Sequence, residues 1–159
     1  MYLYTVTGAV GEEGYLDLAK SGDLTGKNVY VNMTNKCPCA CTFCLRQTRD
    51  EMNHSGSLWL EREPSVEEVK NEFSKFDMDK YKEVVFCGFG EPTMRFNDVV
   101  EVGQWLKSIH PDIPLRINTN GLSDLVFGEP TASRLAGIFD TVSISLNSST
   151  AQKYLDVTR

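Results

Sequence analysis

The chain has 159 residues, the size of one ordinary domain, so it needs neither disulfides nor a metal merely to fold. A formal charge of −6 argues against broad adhesion to nucleic acid, which needs clustered cations. No run approaches the ~20 apolar residues that span a bilayer, and the first twenty residues lack a signal peptide's basic and apolar regions, so a cytoplasmic protein with no membrane partner is expected.

The first elements in chain order are two short strands, roughly 2–6 and 15–18, joined by Gly8, Gly11 and Gly14. They form a hairpin-like extension over 1–26. The run NVYVNMT then alternates, with Val29, Val31 and Met33 on one face, and is the first core strand. After an unpatterned stretch, 45–63, a helix starts at Ser65, whose hydroxyl and Glu68 three residues on satisfy a capping box. Val66, Val69, Phe73 and Phe76 follow at helical spacing, and EVVFCGFG reads as a buried strand ending in glycine.

The alternation repeats. A helix over 98–108 carries Val99, Val102, Leu106 and Ile109 on one side and stops at His110-Pro111. Strand 115–119, a short helix near 131–138, strand 141–146 and a last helix over 149–157, capped by Ser148 or Ser149, complete the pattern. Strands alternating with helices imply an α/β fold with a parallel sheet and right-handed crossovers. Four βα units are countable, and 27–159 reads as one core.

Five cysteines in a cytoplasmic chain call for a reason other than disulfides, and four of them fall between 37 and 44. Thiolates suit iron–sulfur clusters, zinc or Cu(I). Cys37, Cys41 and Cys44, spaced C-x3-C-x2-C, can reach three corners of a cubane and leave one iron open. Structural zinc normally takes four ligands in two separated pairs, and no second C-x2-C pair follows. Cys39 has the means to act as a fourth ligand, but adjacent odd positions of a tight loop point apart, so it is expected to be spare. Cys87, in a buried strand, is read as a small hydrophobe. Lys36, Arg46 and Arg49 beside the cluster read as a solvated rim, and His54 as a solvated loop histidine.

The arrangement Cys37-x3-Cys41-x-Phe43-Cys44 after a strand resembles the signature of the radical SAM superfamily. The resemblance implies a partial (β/α) barrel of the TIM type, a [4Fe-4S] cluster and S-adenosylmethionine, with Phe43 beside the adenine. Gly88-Phe89-Gly90-Glu91-Pro92 resembles the family's Gly-Gly-Glu-Pro motif, with Phe89 in place of a glycine. It implies that backbone at Gly88 and Gly90, and the Glu91 carboxylate, hold the cofactor's amino group. Thr119-Asn120-Gly121 is similar to the family's Thr-Asn-Gly, though it also suits a plain turn. Ser145 and Asn147 share a strand face and take the place of the ribose or carboxylate ligands, with helix capping as the alternative for Asn147.

NVYVNMTNKC, LWLEREPS, FCGFGEPT and VSISLN together are most similar to the TatD-associated radical SAM group. That implies reductive cleavage of S-adenosylmethionine to a 5′-deoxyadenosyl radical, acting on an unknown substrate and fed by a one-electron donor of flavodoxin or ferredoxin type. The alternatives are a non-catalytic iron–sulfur or zinc electron-transfer module, or a remnant. The loop Arg46–Arg62 is a candidate lid. The family's barrel has six units, so four imply a shortened chain, or an oligomer or second chain that completes it, with the fourth strand a bare edge.

Overall fold

Local sequence and packing agree from the first core strand onward. In a computed structural model describing residues 1–8, 14–22, 24–48 and 56–158, β3 (Asn28–Val31) buries Val29 and Val31 on one face. β4 (Glu83–Phe86) and β5 (Leu115–Thr119) do the same with Val84 and Phe86, and with Leu115 and Ile117. The three strands run parallel in sequence order, and β6 (Thr141–Ile144) adds beyond β5. On the other side β1 (Leu3–Thr7) pairs antiparallel with β3, and β2 (Gly14–Asp17) pairs antiparallel with β1. Among the described residues the sheet has six strands in the order β2-β1-β3-β4-β5-β6, open at both edges. It is a partial barrel, not a closed one.

After a single turn behind the cysteine loop, α1 (Leu45–Thr48), the longer helices cover one face. α2 (Val66–Phe73) begins as its sequence requires. Ser65 Oγ accepts from Glu68 N at 3.2 Å, and Glu68 Oε2 accepts from Ser65 N at 2.9 Å. α3 (Phe96–Ile109) follows β4 and buries Val99, Val102 and Leu106. These side chains, with Val69 and Phe73 of α2, meet the strand residues in one core that also takes Leu135, Ile138 and Phe139 from the chain before β6. Full burial of each such side chain is worth about 1.5–3 kcal/mol, which suffices to set which face of every strand turns inward.

The opposite face carries a smaller cluster, in which Tyr4, Leu58 and Phe89 pack with Val6, Tyr15 and Tyr30. Parity along the parallel strands puts Tyr30, Cys87 and Asn118 on this inner side.

Several boundaries differ from the sequence reading. The residues expected to form one helix near 131–138 make only a 3-10 turn, Ala132–Arg134, while α4 (Ser123–Phe127) forms ahead of it and ends at Gly128 in the left-handed region, φ 69°. Asp124 holds that arrangement by accepting from the Thr131 backbone at 2.8 Å. α5 (Ala151–Thr158) starts two residues later than expected, capped by Thr150 Oγ1, which accepts from Lys153 N at 3.3 Å. Neither Ser148 nor Ser149 does so.

β6 is a bare edge. Val142, Ile144 and Leu146 are 42%, 63% and 84% exposed, and among the described residues none buries them. No helix among the described residues is long and apolar enough to cross a membrane.

Candidate cluster and cofactor site

Parallel strands bring their carboxyl ends to one rim, and the chemistry-bearing residues sit there. Beyond β3 the chain turns into the cysteine loop. Thr34 Oγ1 accepts from Lys36 N at 2.9 Å and donates to Glu63. Asn35 exchanges hydrogen bonds with the Leu60 backbone, 2.7 and 3.0 Å. Further along, Ala40 N and Thr42 N donate to Thr158 O and Val157 O at 2.9 and 3.0 Å, so the end of α5 is laced to the loop. Arg46 closes the loop from below the last cysteine: its guanidinium donates to Asn35 O at 3.1 Å and Cys39 O at 3.0 Å, bracketing Cys37. That overturns its reading as a solvated rim charge. Lys36 is exposed and pairs with Glu63 at 3.3 Å. Arg49 and His54 lie outside the described residues.

All five cysteines are free thiols. Cys37, Cys41 and Cys44 are half-buried, and Cys39 is buried. Burial pushes the Cys41 thiol up, and the nearby Cys37 and Cys44 push it further. Cys39 is pushed up to about 11, by burial first and then by Cys37 and Cys41. Its S–H donates to Cys41, and Asn120 Nδ2 lies 3.7 Å from its sulfur. Cys39 is thus the inward-facing member of the four, occupied by neighbours of its own. Among the described residues no three His, Cys, Asp or Glu side chains gather to hold a metal ion. The donor set nevertheless fits a cluster in kind. Three soft thiols ring one loop, near enough to oppose each other's ionisation, and a cubane takes each thiolate on a separate iron, so they need not converge on one point.

The end of β4 lies directly beneath this loop. A Cβ on Gly90 would stand 2.2 Å from Thr34 O, and one on Gly88 2.2 Å from Asn32 Oδ1. Close approach to backbone requires glycine at Gly90, whereas at Gly88 the buried Asn32 side chain would have to shift. Glu91 N donates to Lys36 O at 2.8 Å, tying the two strand ends together. The Glu91 carboxylate is only 5% exposed. Oε1 accepts from Thr93 N, Thr93 Oγ1 and Thr119 Oγ1 at 3.1, 2.7 and 2.7 Å, and Oε2 from Asn120 N at 2.7 Å. Sequence reasoning expected an acceptor for an ammonium at this position. The structure places here a staple between the ends of β4 and β5.

Thr119 and Asn120 therefore share one network with Glu91. Phe43 is 53% exposed on the cysteine loop. Ser145 is exposed, with its backbone N–H on Thr119 O at 3.0 Å, and Asn147 is half-buried. Both follow the end of β6, and Ser145 reaches the Glu91 network only through this backbone bond to Thr119. Cys87 packs as more than a small hydrophobe. Burial pushes its thiol up, against hydrogen bonds donated by Asn118, Tyr4 and the Gly88 N–H. Two participants escaped the sequence reading. Arg46 is one, and its only signal was proximity to the cysteines. Tyr154 is the other, its hydroxyl pushed up first by burial and then by Cys39, Cys41 and Cys37. Its place on α5 carried no signal.

Of the expected lid, residues 49–55 lie outside the described ones. The part that is described is anchored: Leu58 and Leu60 are buried, and Leu58 O accepts from Asn32 Nδ2 at 2.6 Å.

No curated protein matches the chain. A family model described as the Radical SAM superfamily matches residues 31–159, which run from the end of β3 through the cysteine loop and all three following strand ends. The chain belongs to the Radical SAM superfamily, whose members cleave S-adenosylmethionine with an iron–sulfur cluster.

Proposed function

We propose that this chain holds a [4Fe-4S] cluster on Cys37, Cys41 and Cys44, binds S-adenosylmethionine beside it, and is the core of a radical enzyme of unknown substrate. One observation carries the reading. The cysteine loop, the Gly88–Glu91 turn and Thr119-Asn120 come from three different strands and meet at one rim, joined by Glu91 and by its backbone bond to Lys36. A cluster held by Cys37, Cys41 and Cys44 would supply the electron for reductive cleavage of S-adenosylmethionine to methionine and a 5′-deoxyadenosyl radical able to take hydrogen from a substrate carbon. A one-electron donor of flavodoxin or ferredoxin type supplies the reducing equivalent.

The chain's own residues bind and orient. Phe43 offers an apolar face to the adenine. Gly88 and Gly90 keep the β4 end close under the loop, leaving backbone groups for the methionine moiety. Glu91 fixes Thr119 and Asn120, and its Oε2, which takes one donor here, retains capacity for an ammonium. Ser145 and Asn147 are assigned to the ribose or carboxylate. Residues 27–159 are the catalytic unit and 1–26 a hairpin added to its sheet edge. Membership of the TatD-associated group is the finer proposal, and the uncovered side of β6 is where a second copy or another chain would complete the wall.

The test is anaerobic reconstitution with iron and sulfide, then dithionite and S-adenosylmethionine, with assay of 5′-deoxyadenosine. Product is expected from the native chain and from Cys39→Ala and Cys87→Ala, and none from Cys41→Ala. A cluster that forms without cleavage selects an electron-transfer module, and zinc held by four thiolates including Cys39 rejects the cluster altogether.

A further inference from the structure

A cavity of about 370 Å³ opens on the inner face of the sheet, between the β1–β2 hairpin and the cysteine loop. Tyr4, Tyr15, Tyr30 and Phe89 wall it from the strands. Tyr4 stacks on Tyr30 with centroids 5.1 Å apart, while Tyr15 stands edge-on to Tyr4 at 5.5 Å and to Phe89 at 6.2 Å. From the loop side come Phe43, Leu45 and Arg46. Its volume is at the small end of the range for small-molecule sites, about 300–1,000 Å³, which suits one or two rings.

Two features specify the occupant. Leu45 is 43% exposed although it borders an apolar cavity, so a ring seated there removes apolar surface from water and finds the edges and faces of the tyrosines to pack on. Arg46 supplies the polar determinant. Among the described residues its hydrogen-bond acceptors, Asn35 O and Cys39 O, are neutral carbonyls, which do not cancel its charge and occupy two of its five N–H donors. In a chain of net charge −6, a guanidinium lining a largely apolar cavity selects an anion.

We propose that this cavity is the substrate subsite and takes a flat ring bearing an anionic group, the ring among the tyrosines and the anion at Arg46. Naming the ligand a substrate rests on the radical enzyme reading; the binding itself does not. The site adjoins Cys44 and Gly88, so a ring held here lies beside the cluster loop and the β4 turn.

The experiment is an NMR titration of the full chain under reducing conditions with three probes that share one ring: indole-3-acetate, indole and tryptamine. Indole-3-acetate should saturate at least about tenfold below tryptamine, as an unlike charge near a partly buried cation requires. Arg46→Met should abolish that preference. Leu45→Glu alters an exposed position, so the fold is expected to tolerate it, and it should reverse the preference. Val6→Trp should fill the cavity and remove all binding, with circular dichroism reporting the fold. The proposal fails if folded native protein saturates with none of the probes, if tryptamine binds as tightly as indole-3-acetate, or if Leu45→Glu leaves their ratio unchanged. Because the titration needs no cluster, probe binding without 5′-deoxyadenosine production would sink the enzymatic reading alone, and the reverse would sink this one alone.

Discussion

Replacing Glu91 tests whether its carboxylate is a structural staple. In Glu91→Ala four donors lose their acceptor. The hydroxyls of Thr93 and Thr119 can rotate toward other acceptors, but Thr93 N–H and Asn120 N–H are fixed by the backbone. Leaving a buried donor unsatisfied costs about 1–3 kcal/mol, so two cost about 4 kcal/mol. Against a total stability of about 5–15 kcal/mol that is a large share. For a chain of this size it corresponds to a fall in Tm of roughly 8–16 °C. Glu91→Gln should fall in between. The amide carbonyl can serve one side of the network, but its NH2 then faces a donor on the other. Urea unfolding of the metal-free chain, followed by circular dichroism, measures all three proteins. Unfolding free energies for Glu91→Gln and native protein within about 0.5 kcal/mol of each other would refute the staple. If S-adenosylmethionine binding weakened at the same time, the ammonium-acceptor role would stand in its place.

Gly90→Ala pushes a methyl group against Thr34 O and Lys36 O, at 2.2 and 2.8 Å, and neither is a flexible side-chain end. It should cost about 2 kcal/mol or more and lower the iron content after reconstitution, whereas Gly22→Ala, with nothing within 4 Å, serves as the neutral control. Ser65→Ala removes half of the capping box of α2 and should cost about 1 kcal/mol in urea unfolding, with no effect on cluster assembly. Asp140 is held below the usual carboxylate range, first by the Leu115 N–H at 2.8 Å and then by Lys107 at 2.9 Å. A depressed acid adds stability that is present above its unfolded pKa of about 4 and lost as pH falls through the folded value. Asp140→Asn should therefore flatten the pH dependence of stability below about pH 4; an unchanged acid limb would show that the pairing does not contribute.

Much of the framework was written locally. Valines two apart at 29 and 31 can bury only one strand face, and the Ser65–Glu68 box fixes where α2 begins, because both effects act within a few residues. The cysteine spacing and the glycine-rich end of β4 were equally legible, since soft donors on one loop and glycines after a strand are chemical statements that need no partner. The segment 123–138 was misread because its short helix depends on a contact made by Asp124 to Thr131, not on periodicity. Nothing in the sequence said that Glu91 would spend its carboxylate on Thr93, Thr119 and Asn120, that Arg46 would clamp the backbone on both sides of Cys37, or that α5 would be stitched to the cysteine loop. Those are long-range pairings of polar groups. Each group is satisfied by whichever partner the folded sheet brings within about 3 Å, so only the tertiary structure decides them, whereas alternation, capping and thiol spacing are set before any distant contact forms.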